Sequence, residues 1–515
     1  MAVASLAYLT LWWRSANAGF GWTAPIWTAF ALTVAVAISL LLGHVTASAA
    51  FAVAIARHAG APRHGATSFT PRSWIPTAFA AVVAFAGAAA LLVITAPRQP
   101  AETSRVPLAV VPSGLRVKVI AIDGVDPGVV HFAADGGVHR LSRTLTGTRA
   151  ELAPDESNSS RDPARVWTTI ATGQPPAVHG VTELETRRIA GVQGAIAASG
   201  ESGLTRSIRG ATDLLRLTRP SVASGRERKV KTMWEVAADA GLRTVVINWW
   251  ATWPASGGSD GAVMLTDRAL LRLERGGPLD AEIAPASIYD RLKQQWPAIR
   301  DKALARAHAA VEWLDWGPAK TRAVLMRSAE LDAMQVELMR ELSKPTPDLI
   351  SVYLPGLDIA QHALLGPRQT PLAPSEVSIR VDALRDYTVF LDRLLSDVIT
   401  PVDSEMVIVV TEPGRVTPSG AGLLGVAGHV AAAHADVRAR AVDAAPTILH
   451  LLGLPISREL PGAPVSALFS PDFVRRYPVR QIATYGPPSI QTSDRAGQPL
   501  DQEMIDRLRS LGYVK

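Results

Sequence analysis

Asp358 and His362 stand four residues apart in Asp358-Ile-Ala-Gln-His362, just after the apolar run Leu349-Ile-Ser-Val-Tyr-Leu354. On a helical turn that spacing puts a carboxylate and an imidazole on one face, where they can share a metal ion. The same spacing is also common by chance. Asp123 closes a second apolar run, Val117-Lys-Val-Ile-Ala-Ile122, and is followed by Gly124. Open α/β sheets place ligands at such strand ends, although a plain turn aspartate fits as well. A third stretch, Asp162 to Val181, opens with Asp162-Pro163, a good helix start. It continues through the apolar Val166–Ala171 and stops at Thr172-Gly173, before Pro175-Pro176 and His179-Gly180. A helix N-terminus offers its free N–H groups and dipole to an anion. A well-capped buried helix is the plain alternative.

Alternating strands and helices must position these groups. Arg243-Thr-Val-Val-Ile-Asn-Trp-Trp250 and Met406-Val-Ile-Val-Val-Thr411 read as two further core strands. Trp249, Trp250 and Asn248 either line a cleft or belong to core and loop. Met233–Ala240 and Ser378–Leu395 read as amphipathic helices. Residues 286–343 are strongly helical, with one break at Trp316-Gly317-Pro318. Residues 142–162 look loop-like, and 183–230 lack periodicity and read as an insertion. The alternation predicts a mostly parallel sheet with helices on both faces.

The first hundred residues differ in kind. Residues 1–101 hold five Arg, no Lys and no acid, leaving 47 basic and 46 acidic side chains in the rest. The net charge of +6 is therefore N-terminal and argues against nucleic acid, which needs a basic face on the folded domain. Ala24–Ala56 and Trp74–Ala96 are uncharged and long enough to cross a bilayer, and Val3–Trp13 is apolar but shorter. Trp12, Trp13, Trp22, Trp27 and Trp74 sit near the ends of these runs, as interfacial aromatics do. Arg57, Arg63 and Arg72 lie between the two long runs, which predicts a cytoplasmic loop and an extracytoplasmic C-terminal domain on a multi-pass cell-membrane protein. A transporter fits poorly, because His44 is the one ionisable side chain within the long runs. With no Cys in the chain, disulfides, Cys-ligated zinc and thiol catalysis are excluded.

Trp167-Thr-Thr-Ile-Ala-Thr-Gly173 with Pro175-Pro176 and His179-Gly180 resembles the nucleophile segment of the type I phosphodiesterase/nucleotide pyrophosphatase family, in the alkaline phosphatase superfamily. The blocks "GLRTVVINWWATWPA" and "VMLTDRAL", the Gly356-Leu-Asp358 turn and the segment Val442–Pro455 are similar to the same family. The resemblance spans roughly residues 115–470. It implies an alkaline-phosphatase-like α/β domain over 116–475, with insertions at about 183–230 and 286–343, the latter a helical cap. A transmembrane region of two to three helices (1–100) and a linker (101–115) precede it, and a C-terminal extension (476–515) follows. It also implies two zinc ions and a Ser or Thr nucleophile acting on a phosphate ester. Carried over position by position, the metal ligands are Asp123, Asp358, His362 and, conservatively changed, Glu412. The nucleophile falls on Pro163, with Ser159 and Ser160 nearby. A further ligand falls on Pro413 and the last near Pro418, while His429 and His434 lie too far along. Two readings follow. The first is a membrane-anchored phosphodiesterase-like protein that is non-catalytic or strongly altered and holds no metal. The alternative is an active phosphoric ester hydrolase or phosphotransferase that binds zinc or another divalent ion in a rearranged site. A phosphate-ester ligand and the membrane are the expected partners.

Overall fold

A computed structural model describes residues 2–16, 25–57, 74–94, 108–135, 140–153, 162–189, 195–197, 218–256, 261–311, 319–366, 372–416, 420–488 and 499–513. The chain divides into two compact units. The first holds residues 1–101 and Thr186–Ser221. Its three N-terminal helices are Ala2–Ala16, Pro25–Arg57 and Trp74–Ile94. They pack on one another through Leu6, Leu32, Val36 and Ala88. Among the described residues one helix, Ala29–Arg57, is long and apolar enough to cross a membrane.

The second unit is built on nine strands. In chain order they are β1 (Arg116–Asp123), β2 (Thr148–Ala153), β3 (Thr244–Trp249), β4 (Ala262–Thr266), β5 (Ile283–Ala284), β6 (Leu349–Leu354), β7 (Glu405–Glu412), β8 (Gly422–Gly428) and β9 (Ala435–Arg440). Their spatial order is β9-β2-β8-β7-β1-β6-β3-β4-β5. The block β7-β1-β6-β3-β4 is parallel, as the sequence alternation predicts. β8 runs antiparallel between β7 and β2. Both faces of β1 are buried: Ile120 and Ile122 enter one apolar cluster, and Val117, Val119 and Ala121 enter the other. The helix Ala319–Leu342 packs against β6 and β3.

The described part of residues 142–162 departs from the loop expectation. Arg140–Thr146 is a helix and Thr148–Ala153 is β2. Ala150 and Leu152 are buried while Arg149 and Glu151 lean outward, a one-faced alternation too short to stand out beside the long buried runs. β8 and β9 are likewise additional to the expected strands. His429 and His434, in the turn between them, are exposed.

The helix Gly356–Leu365 follows β6 directly and carries Asp358 and His362. Its start is fixed by Asp332, a fully buried carboxyl that accepts from Gly356 N (2.9 Å) and from the Tyr387 hydroxyl (3.0 Å). Burial pushes Asp332 up to about 7. Gly356 is required here by close approach. A methyl at its Cα would sit 2.2 Å from the Tyr387 hydroxyl and 2.3 Å from the Asp332 carboxylate. We therefore expect Gly356→Ala to cost at least about 2 kcal/mol in chemical denaturation, since it overpacks the site and breaks a buried hydrogen bond. A variant within about 0.5 kcal/mol of the parent would contradict this close approach.

Candidate functional site

Three segments converge at the carboxyl ends of the central parallel strands: Asp123-Gly124 after β1, Leu357-Asp358 after β6, and Glu412-Pro-Gly-Arg415 after β7. Asp123 and Glu412 are register partners across β1 and β7. The Glu412 carbonyl accepts from both Gly124 N and Val125 N at 2.8 Å, so the two strand exits are pinned together. Gly414 has φ +74°, and a methyl there would lie 2.6 Å from Asp358 Oδ1. Only glycine lets the β7 exit turn pass this close to the carboxylate.

Asp358 is completely buried. Its Oδ1 accepts from Arg415 N and its Oδ2 from Arg415 Nε, each at 2.8 Å. The guanidinium thus lies against the carboxylate that the resemblance assigns to a metal. Arg415 also donates through Nη1 to the Gly512 carbonyl and stacks on the Tyr513 ring, with 3.8 Å from Cζ to the ring centroid.

Asp123, buried beside it, accepts at Oδ2 from the Tyr353 hydroxyl (2.9 Å) and from Trp167 Nε1 (3.3 Å). Burial, and then the neighbouring Asp358 and Glu412 carboxylates, push Asp123 up to about 8. His362 is half-buried, and its pKa is lowered by burial and by Arg415. Its Nδ1 makes no hydrogen bond, and Gly512 packs against the ring.

These observations test whether the residues fit a two-zinc centre. Such a centre takes carboxylates that are free to coordinate, and here Asp358 is hydrogen-bonded through both oxygens to a fixed cation. Among the described residues no group of three or more His, Asp and Glu is placed to hold a metal ion. The set does not fit the pair of ions. Asp123, Asp358 and Glu412 do come together at the strand ends, as their positions in the sequence imply. The i,i+4 pair exists on its helix, but a guanidinium stands where the shared ion was expected.

The nucleophile segment folds as read. The helix runs Pro163–Thr172, and the Asp162 carboxylate accepts from Arg165 N (3.1 Å) and Leu184 N (2.7 Å). Pro163 occupies its first turn. Of the hydroxyls further along, those of Thr169 and Thr172 are committed within the helix, and that of Thr168 is buried. Thr172 Oγ1 donates to Thr168 O (2.7 Å) and Thr169 Oγ1 to Arg165 O (3.1 Å). His179 Nδ1 accepts from Val181 N, so its Nε2 carries the proton and donates to Thr169 Oγ1 at 3.0 Å. Burial, with Arg228 and Arg165 nearby, lowers His179 to about 3 and keeps it neutral. Ser159, Ser160, Thr417 and Pro418 lie outside the described residues.

An aromatic cluster supports the floor. Trp167 packs edge-on against Trp249 (5.6 Å between centroids) and Tyr353 (5.1 Å), and Trp250 lies 5.9 Å from Tyr353. Trp249 is wholly buried and donates to Trp167 O, so it belongs to the core. Asn248 donates to Tyr353 O. Arg415, Tyr353 and Tyr513 were not singled out by the sequence reading. The available signal was a cation three residues past Glu412, in the exit turn of an acid-ended strand.

No curated protein sequence matches the chain. Among solved structures it is similar to phosphonoacetate hydrolase from Sinorhizobium meliloti in complex with phosphonoformate, at 17% identity and a TM-score of 0.32, covering 60% of each chain. A second is a phosphonate monoester hydrolase from Silicibacter pomeroyi, at 13% identity and 0.36, covering 69% of this chain and 76% of that one. The chain thus spans about 60% of the length of the first of these proteins. A model of the type I phosphodiesterase / nucleotide pyrophosphatase family matches residues 117–417. That range takes in β1, β6 and β7 together with the helix that begins at Pro163, and the chain belongs to this family.

Proposed function

We propose that this chain is a membrane-anchored, non-catalytic member of its family, in which Arg415 takes the place of the metal charge. The observation that carries the reading is the double hydrogen bond from Arg415 to the buried Asp358 carboxylate, 2.8 Å at each oxygen. A fixed guanidinium neutralises that carboxylate permanently, whereas catalysis by the family's chemistry needs a cation that can bind the reacting oxygens. Proline at the nucleophile position supports the same reading, since it has no hydroxyl. The apolar helix Ala29–Arg57 supports anchoring. The Arg-bearing stretch 57–72 supports a multi-pass arrangement with the C-terminal domain outside.

Elemental analysis of the purified full chain, with thermal melts in zinc and in chelator, tests this. We expect no bound zinc and no change of melting temperature in either condition. A metal bound at 100 times its Kd would add about 2.7 kcal/mol, which a melt resolves easily. Two zinc ions per chain would overturn the reading and restore an active phosphoric ester hydrolase or phosphotransferase. One tightly held ion would point to a rearranged site.

A further inference from the structure

The residues that close the site come from the far end of the sequence. The helix Pro499–Ser510 buries Met504, Ile505 and Leu508 in one apolar cluster, and Leu511 just beyond it enters another. It is also held by charge: Arg507 pairs with Glu274 at 3.0 Å, and Glu503 pairs with Arg275. Gly512 and Tyr513 follow, and their contacts are those of a bound ligand. The Tyr513 ring lies against the Arg415 guanidinium and meets Trp250 edge-on at 5.7 Å. Its hydroxyl is buried, and Asp358 and Asp123 are among the charges it feels. The Gly512 carbonyl accepts from Arg415 Nη1. An aromatic ring with a cation over its face and an indole at its edge makes the cation–π and edge-to-face contacts that can hold an aromatic side chain in place.

We propose that the cleft over Asp358 and Arg415 is a peptide-recognition site for a Gly-Tyr type element, and that Gly512-Tyr513 fill it as a tethered internal ligand. A partner bearing the same element gains the site only when Tyr513 vacates it. The exposed Arg275–Glu503 pair is screened by salt, whereas Arg507–Glu274 is largely buried and is screened little. The inference rests on Arg415 occupying the metal position, since a cleft loaded with metal would have no guanidinium free to stack on the ring.

The test uses the full chain and a fluorescent peptide copying residues 508–515 (Leu-Arg-Ser-Leu-Gly-Tyr-Val-Lys), read by anisotropy. A tethered ligand competes at an effective concentration of about 1 mM. Tyr513→Ala removes that competitor, and we expect it to bind the peptide at least about tenfold more tightly than the parent does. The same peptide with Ala in place of Tyr should not bind the variant. Should Tyr513→Ala fail to fold by circular dichroism, Tyr513→Leu keeps the apolar bulk and removes the stacking. Equal affinity for variant and parent, or equal binding of the two peptides, would overturn the proposal. The metal analysis separates the two readings: lack of peptide selectivity without zinc refutes this one alone, whereas bound zinc refutes the non-catalytic reading and this one with it.

Discussion

Arg415→Met is expected to cost the fold about 3–5 kcal/mol, because it strands a carboxylate that has no access to water. Asp358 is fully buried, and one of its oxygens accepts only from the side chain that the substitution removes. The backbone N–H of residue 415 would still reach Oδ1, but the charge would lose its counter-ion. The stacking on Tyr513 would go as well, worth about 0.5–2 kcal/mol in such settings. The Asp358→Asn/Arg415→Met pair should recover more than half of the loss, since a neutral amide needs no counter-ion. Urea denaturation of the parent, both single variants and the double variant gives the coupling directly. A coupling below about 0.5 kcal/mol would mean that the guanidinium does not stand in for a cation. The cycle also separates the two readings of the site. If Asp358 were a metal ligand, losing Arg415 would leave the metal as its partner and cost little.

Asp123→Asn is expected to stabilise the protein at pH 8 and to leave it nearly unchanged at pH 4. The sign follows from linkage. Asp123 is raised to about 8 in the folded chain, against an ordinary 3.8. Between those values the folded state binds a proton that the unfolded state has released. Its contribution is therefore fully present below about pH 4 and is lost as pH rises through about 8, at about 1.4 kcal/mol per pH unit. The amide keeps an oxygen for Tyr353 and Trp167 and never ionises beside Asp358 and Glu412. Asp332 and Asp267 are also raised, so the parent's stability should slope downward over this range even without Asp123. The difference between parent and variant isolates the Asp123 part. A variant less stable than its parent at pH 8 would show that the carboxylate is used there in its ionised form, as a metal ligand must be.

Much of the scaffold was legible from the sequence because it rests on local rules. Apolar runs of six to eight residues between helical stretches specify buried parallel strands, and β1, β3, β6 and β7 lie where those runs place them. Asp162-Pro163 and Gly173 bound their helix through capping chemistry, which acts within three or four residues. The acids at the ends of β1 and β7 and just after β6 were legible too, since parallel strands bring their carboxyl ends to one edge. Shorter one-faced strands such as β2 were not, because an alternation of three buried residues is too brief to outweigh the surrounding polar chain.

What fills the site was decided only by the tertiary structure. Arg415 lies 57 residues from Asp358 in the chain, and Tyr513 a further 98 beyond Arg415. Nothing in the types of the intervening residues states that these three meet. The sequence by itself determined the family fold and the acids at its strand ends. Whether those acids face a metal, water or a guanidinium depends on the path of the turn through Gly414 and on the docking of the helix Pro499–Ser510. Charge compensation in a buried site is a property of three-dimensional distance, and the order of residues along a chain does not encode that distance locally.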